Sequence, residues 1–492
     1  MASANLCLCT LILISISQIC FGDYRAAVVE YQPVELADAN ITMESNIKEY
    51  RSFVEQAKKN GVLIIVFPEY GLTGYNPNVT AYALEIPDVG IKPNHTNGLI
   101  LEKLTDLAQS FEMYVVLNLL EKKTNTNNKT FYYSTNLAFN PKGEIVAKSR
   151  KTHLFDESNL TAGKPSENTN TFETVFGVTF QLFSTYDLIW ENPKSNVRDI
   201  VYPSSWISTL PFYHSLSVQH GYAEANKVNL LAANLNNPSV ALGGSGIFGS
   251  NGTAYQYYIS GKTASKLLTA TVVNTIYNVS VTRHITQNKF FKGGLGSFDF
   301  DDDKPEILNY KSNRLFENKK YATKTLDLSK HNIQEKICHR SFCCQFNINV
   351  TTNSSSDIYK LVAYNGPIDI YGTHKKNQKV CSIVACETSD DSTCGSRTVE
   401  PNTKFSNILV ESTVANTNSF IPLTLTTKLV PIFNTTFDST AVKNDRKLTL
   451  LSELETGSVL AFGIVETSIS GSTTVTFSFA LMSIILLRYI LF

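Results

Sequence analysis

RAAVVEYQP, residues 25 to 33, is a short apolar run closed by proline, the pattern of a buried strand. After it, ADANITMESNIKEYRSFVEQAKKNG spaces its apolar residues three and four apart and ends at Gly61, which predicts an amphipathic helix. VLIIVF suits a central strand and runs into the turn PEYGLTG. A helix over Leu101 to Phe111 leads to the strand MYVVLNLLE, and FYYSTNLAFNPKGEIVAKSRK reads as a hairpin turning at Pro141, Lys142 and Gly143. VTFQLFS, DIVYPSSW and VNLLAANL continue as strands, with a helix over Tyr213 to Asn226 before the last. Strands alternating with helices predict an α/β layered domain. From Lys304 onward the pattern changes to short β-like stretches, so a boundary falls within 290 to 330 and is drawn after residue 300.

The chain has 492 residues, too many for one ordinary core, and therefore carries more than one folded unit. Its 43 basic and 43 acidic side chains cancel, which leaves no broad field to attract nucleic acid. MASANLCLCTLILISISQICFG, residues 1 to 22, has the length and small-residue ending of a secretory signal, although it lacks Lys and Arg. At the other end, residues 467 to 492 carry small residues and then an apolar tail, with Arg488 the one charge. This reads as a GPI attachment signal with its site within Thr467 to Ser472; a retained single-span anchor is the alternative, against which the polar first third counts.

Cysteine usage divides the chain the same way. Cys7, Cys9 and Cys20 lie in the signal, and the other six lie between Cys338 and Cys394. Exported, these six imply up to three disulfides, with fifteen pairings open. Their spacing suits zinc poorly. N-x-S/T acceptors at Asn40, Asn78, Asn94, Asn128, Asn159, Asn251, Asn278, Asn349, Asn353 and Asn434 point to N-linked glycans on surface loops.

Three stretches of the first region place reactive side chains where a strand ends: Glu69 in FPEYGLTG, Lys151 in KSRKTHLF and Thr185 in FSTYD. Loops converge at such ends in α/β layers. A carboxylate to take a proton, an ammonium to steady negative charge and a nucleophile make an acyl-transfer set. Taken singly, the bland readings are a turn-shaping glutamate, a solvated lysine and a β-branched residue closing a strand.

FPEYGLTGY, KSRKTHLF with FDE after it, FSTYDLIWENP, YPSSW and GSGIF, in that order and spacing, resemble the carbon-nitrogen hydrolase (nitrilase) superfamily. NLLEKK, TNLAFNPKGEIVAKSRK, FCCQF and VCSIVACETSDDSTC narrow the resemblance to the vanin and biotinidase branch, over nearly the whole mature chain. It implies a four-layer αββα domain over residues 23–300 and a smaller β-rich, disulfide-bearing domain over 301–466. It also implies hydrolysis of linear amides, pantetheine by vanins and biocytin by biotinidase, and the GPI anchor common in vanins. Matched to the family motif, Glu69 falls on the general base that accepts the proton and Lys151 on the lysine that donates one. Thr185 falls on the position of the nucleophilic cysteine, and Glu121 in NLLEKK on a second glutamate that supports the lysine.

No cysteine lies between Asp23 and Ile337, so this domain cannot form a thioester. A hydroxyl needs far more activation than a thiol of pKa about 8.5, and threonine adds a methyl that crowds attack. Ser184 is less crowded, but strand alternation turns it to the other face. Two functions stay open: an amide hydrolase working through an unconventional Thr185, and an impaired or inactive homologue that keeps the pocket for a ligand. GGLGS and GGSG lack a phosphate loop's lysine, DFDDDK lacks the glycine and closing glutamate of a calcium loop, and His214 and His220 are spaced wrongly for a helical metal pair. No cofactor is implied.

Overall fold

The computed structural model describes residues 23–155, 157–274, 321–370, 374–396, 399–416 and 419–467. The signal segment, Asn278, GGLGS, DFDDDK and the tail from residue 468 lie outside them.

The first sheet runs in spatial order β12 (Lys266–Val272), β1 (Tyr24–Glu30), β2 (Ile64–Val66), β3 (Tyr114–Thr124), β4 (Thr130–Phe139), β5 (Ile145–Arg150). The second runs β11 (Ala254–Tyr258), β10 (Ser245–Phe248), β9 (Asn229–Asn234), β8 (Asp199–Ser204), β7 (Thr179–Leu182), β6 (Thr171–Glu173). Each has three parallel strands at its centre, β1-β2-β3 and β7-β8-β9, flanked by antiparallel ones.

Strand alternation sorts the side chains between two cores. Ala26, Val28, Ile64 and Val66 meet Phe180, Leu182, Val201 and Leu231 between the two sheets. Ala27, Val29 and Ile65 point the other way, onto the helices α1 (Ala39–Lys59) and α3 (Leu99–Ser110), which bury Met43, Val54, Leu101 and Leu104. Burial on both faces is why β2 reads as a continuous apolar run. Asp38 caps α1 by accepting from Ile41 N at 2.9 Å, and Asn60 and Gly61, the latter at φ 70°, end it as the sequence predicts. A single turn, α2 (Val79–Tyr82), precedes α3. Another, α4 (Asp187–Trp190), follows β7, and α5 (Ser215–Asn226) covers the outer face of the second sheet.

The C-terminal region forms two five-stranded antiparallel sheets. One runs β13 (Ala322–Thr325), β16 (Ile358–Ile370), β17 (His374–Cys386), β22 (Val459–Glu466), β19 (Phe420–Thr426). The other runs β14 (Asn332–His339), β15 (Phe342–Thr352), β18 (Lys404–Ala415), β21 (Asp445–Ser452), β20 (Thr435–Val442). Their core packs Tyr359, Leu361, Ile383 and Phe462 against Phe346, Ile348, Val410 and Leu450. Disulfides join Cys338 to Cys343, Cys344 to Cys381 and Cys386 to Cys394, three bridges within the predicted span. The second of these ties β15 to β17, across the two sheets. Four strands here are longer than the short stretches predicted, β15 to β18 having 11, 13, 13 and 12 residues.

Candidate active site

Glu69 lies just past β2 and Thr185 just past β7, so the parallel centres of the two sheets deliver both to one place. Lys151 follows β5, held there by its N–H to Ser134 O at 2.8 Å and by Gly163 N to its own carbonyl at 2.8 Å. The turn carrying Glu69 is fixed from three sides. Phe67 N bonds Val116 O at 2.9 Å, Glu69 N bonds Ser204 O at 3.2 Å, and Tyr70, at φ 60°, donates its N–H to Asn118 Oδ1 at 3.2 Å.

Asn118 begins a buried polar seam between the sheets. Its Nδ2 donates to Ser134 Oγ at 2.9 Å and Asn136 Oδ1 at 2.8 Å. Asn136 Nδ2 in turn donates to Phe183 O and Ser184 Oγ, both at 3.0 Å. The seam therefore couples the glutamate turn to the loop holding Thr185, and Ser184 faces Asn136 while Thr185 faces Glu69, both in the turn beyond the end of β7 at Leu182.

The Glu69 carboxylate is saturated with donors. Oε1 accepts from Ser134 Oγ at 2.7 Å and Lys151 Nζ at 3.1 Å; Oε2 accepts from Thr185 Oγ1 and from Ser205 Oγ at 3.2 Å. Thr185 Oγ1 also accepts the Ser205 N–H at 2.8 Å, and its carbonyl accepts from Tyr202. Lys151 has a second carboxylate, Glu157 Oε1, at 2.7 Å, and Tyr70 donates its hydroxyl to the same oxygen. Burial alone would lower the lysine's pKa, but Glu69 and Glu157 outweigh it and raise it above the ordinary lysine value, so Lys151 is an ammonium. As such it steadies charge and donates protons.

Glu121 does not support Lys151. Its carboxylate takes Arg150 at 2.6 and 2.8 Å and Lys148 at 2.8 Å, with Thr135 Oγ1 donating at 2.8 Å. Residues 148 and 150 share one face of β5, which looks toward Glu121 on β3, whereas Lys151 has left the strand and turned into the seam. The glutamate that meets the lysine is Glu157, in the loop six residues on, the Glu of the FDE stretch. Ser134, Asn118, Asn136 and Ser205 had no role assigned from sequence. Asn118, Asn136 and Ser205 do lie in stretches that carry the resemblance, NLLEKK, TNLAFNPKGEIVAKSRK and YPSSW.

A cavity of about 200 Å³ opens beside this centre, lined among others by Tyr70, Lys151, Phe155, Glu157, Tyr186 and Ser205. Phe155 stacks on Tyr186 with ring centroids 3.9 Å apart, so its wall is aromatic with charge at the floor. Below the Thr185 loop, Asp187 Oδ2 accepts from Ser184 N at 2.6 Å. Its other oxygen lies 3.0 Å from His153 Nδ1, which is 3.5 Å from Glu191 Oε1. Among the described residues this is the one cluster of metal-ligating type. Burial would lower the His153 pKa, but the Asp187 and Glu191 carboxylates outweigh it and raise it above the ordinary histidine value. His214 and His220 are buried; burial pushes His214 down to about 3, and His220 Nε2 meets Gly252 O at 2.8 Å.

The carbon-nitrogen hydrolase family model matches residues 25–252, and the vanin C-terminal domain model matches residues 310–470. The chain belongs to the vanin and biotinidase branch of the carbon-nitrogen hydrolase superfamily. It is 27% identical to a pantetheinase of Bos taurus over 409 residues, 76% of this chain and 74% of that one. It is 27% identical to Vanin-like protein 1 of Drosophila melanogaster over 495 residues, covering 90% and 85% of the two chains. With a biotinidase of Takifugu rubripes the identity is 24% over 435 residues, covering 80% and 85%. A solved amidase from Nesterenkonia sp. aligns with 51% of this chain and 91% of its own, at 15% identity and a TM-score of 0.39. The fold expected from sequence, an αββα layer pair followed by a β-rich disulfide-bearing region, is the fold observed.

Proposed function

We propose that the protein takes a small linear amide of pantetheine type into the cavity beside Lys151, and that its hydrolysis is strongly impaired because Thr185 stands where the family's nucleophilic cysteine belongs. One observation carries this reading: the Thr185 hydroxyl is 0% exposed and closed in by Glu69 and the Ser205 N–H, in a region with no cysteine from residue 23 to 337. The relatives named pantetheinase and biotinidase support the substrate class. Glu69 takes the role of proton acceptor and Lys151 that of proton donor and charge stabiliser.

Thr185→Cys should restore thiol-dependent hydrolysis of pantetheine, since base and ammonium already stand in position, with a gain on the order of 10⁴ over the wild type. Iodoacetamide should abolish the gain, and Glu69→Ala should return the variant to baseline. The second reading, an active amidase with an unconventional nucleophile, draws on the intact Glu69 and Lys151 pair. A wild type that turns pantetheine over at about 1 per second or faster, with no gain from the cysteine, would establish it and end the first.

The protein also belongs, in this reading, on the cell surface as a GPI-anchored glycoprotein. Small residues precede the apolar tail, and eight of the nine acceptor asparagines in the described regions are exposed, Asn349 being half-buried. No helix among the described residues is long and apolar enough to cross a membrane. Phosphatidylinositol-specific phospholipase should release the protein from intact cells; retention in the membrane fraction would exclude the anchor.

A further inference from the structure

The cavity does not reach Thr185. Of the two hydroxyls on Glu69 Oε2, Thr185 is 0% exposed, whereas Ser205 is 6% exposed and lines the cavity together with Lys151. We propose that Ser205 is the nucleophilic residue of this site, attacking bound acyl compounds through a primary hydroxyl that the loop after β8 sets between Glu69 and the cavity. The proposal rests on reading the cavity as an acyl-transfer site and adds the identity of the attacking atom.

Thr185 shares the contact with Glu69 Oε2, so three features taken together suit Ser205 to the role. Its Oγ lies 3.2 Å from Glu69 Oε2, within reach of the base that must take its proton. Its backbone N–H is already spent on Thr185 Oγ1 at 2.8 Å, which pins the Ser205 main chain and so fixes where its side chain starts. It has no branch at Cβ, so an acyl carbon can approach it, whereas Thr185 would have to surrender the Ser205 N–H and leave its closed position before it met a substrate.

The step balances with water as the one co-reactant. The Ser205 proton passes to Glu69 as the Oγ to carbonyl-carbon bond forms, and the resulting oxyanion lies in the cavity shared with the Lys151 ammonium. The C–N bond then breaks, and the leaving amine takes the proton held by Glu69. Water adds to the ester, giving its proton to Glu69; the Oγ to carbon bond breaks, and Ser205 recovers a proton as the carboxylic acid departs.

A fluorophosphonate probe tests this on the full chain without needing turnover. The expected result is one adduct per chain, mapped to Ser205 by peptide mass spectrometry, absent in Ser205→Ala and slowed at least tenfold in Glu69→Gln. Ser205→Cys, assayed beside it, should be alkylated by iodoacetamide at the same position. An adduct on Thr185, labelling unchanged by Ser205→Ala, or no adduct on Ser205 would each overturn the proposal, whether or not the Ser205→Cys thiol is alkylated. The probe carries nothing of pantetheine, so labelled Ser205 in a protein that neither binds nor cleaves pantetheine would refute the substrate reading alone.

Discussion

Lys151 keeps its charge under complete burial because Glu69 and Glu157 both face it; a single carboxylate would leave much less to offset the loss of water. Glu30 is the opposite case. At the end of β1 it is fully buried with no ion pair among the described residues, accepting from neutral donors that include Asn236 Nδ2 at 2.8 Å and Gly244 N at 2.9 Å. Burial raises its pKa from 4.5 to about 7. The folded protein then binds a proton that the unfolded chain has released, so the stabilisation is complete below pH 4.5 and is lost as pH rises through about 7. The loss amounts to roughly 3 kcal/mol at about 1.36 kcal/mol per pKa unit. Glu30→Gln carries a constant cost for turning an amide donor toward one of those N–H groups, but it does not titrate. Urea unfolding at pH 5 and pH 8 should therefore show a fall in the wild type that is smaller in the variant by about that amount. Equal falls in the two proteins would mean that Glu30 does not titrate in this window.

At the scale of elements, the turn after β2 depends on a missing side chain. A Cβ on Gly71 would lie 2.0 Å from the Tyr50 hydroxyl and 3.2 Å from Pro68 Cγ. Tyr50 cannot yield easily, since its ring stacks on Phe67 at 3.7 Å and meets Tyr31 edge-on at 5.1 Å. Gly71→Ala should cost roughly 1–3 kcal/mol in equilibrium unfolding and should displace Glu69, two residues upstream. A variant as stable as the wild type would show that α1 shifts to make room. The elements legible in the sequence were those with one period and clean ends: α1 between Asp38 and Gly61, β2, and the hairpin turning at Gly143. Glu69, Lys151 and Thr185 were legible as positions, each standing where a strand ends, while their roles come from the resemblance. Glu121 was matched to the lysine by motif resemblance, which does not say that Lys151 turns away from β3 after β5 while Arg150 and Lys148 face Glu121. Glu157 sits in a loop with no period to reveal it. β16 carries Gly366 and Pro367 in its interior and β17 opens with HKKNQ, turn-like compositions that only pairing with a long partner strand makes extended. Strands β11 and β12 went unread: β11 is half-buried along its whole length, and β12 alternates only over its last five residues, where Leu268, Ala270 and Val272 are buried.

Across the whole molecule, α5 joins the two halves. Nearly all of it is buried, because one side packs on the second sheet and the other on the first C-terminal sheet, with Leu216 and Tyr222 sharing a core with Val362, Val380, Ile421 and Leu423. Ser217 Oγ donates to Thr424 O at 2.8 Å, and Glu224 Oε1 accepts from Phe437 N at 3.0 Å. The approach is close enough that a Cβ on Gly221 would lie 1.9 Å from Pro422 O, a backbone atom of β19 that cannot rotate away. Gly221→Val should therefore push the C-terminal sheets off α5 and expose its apolar side. The loop leading into α5 carries Ser205 and Trp206, and Trp206 Nε1 bonds Tyr213 O at 2.9 Å while the Tyr213 hydroxyl pairs with Gln378 of β17. Loosening the docking should thus reach the cavity as well as the core. The expected outcome is a melting temperature lower by several degrees, corresponding to about 2 kcal/mol or more, with increased binding of a hydrophobic dye and slower reaction at Ser205. Unchanged melting and dye binding would show that β19 moves aside without cost and that the two halves hold their shapes independently.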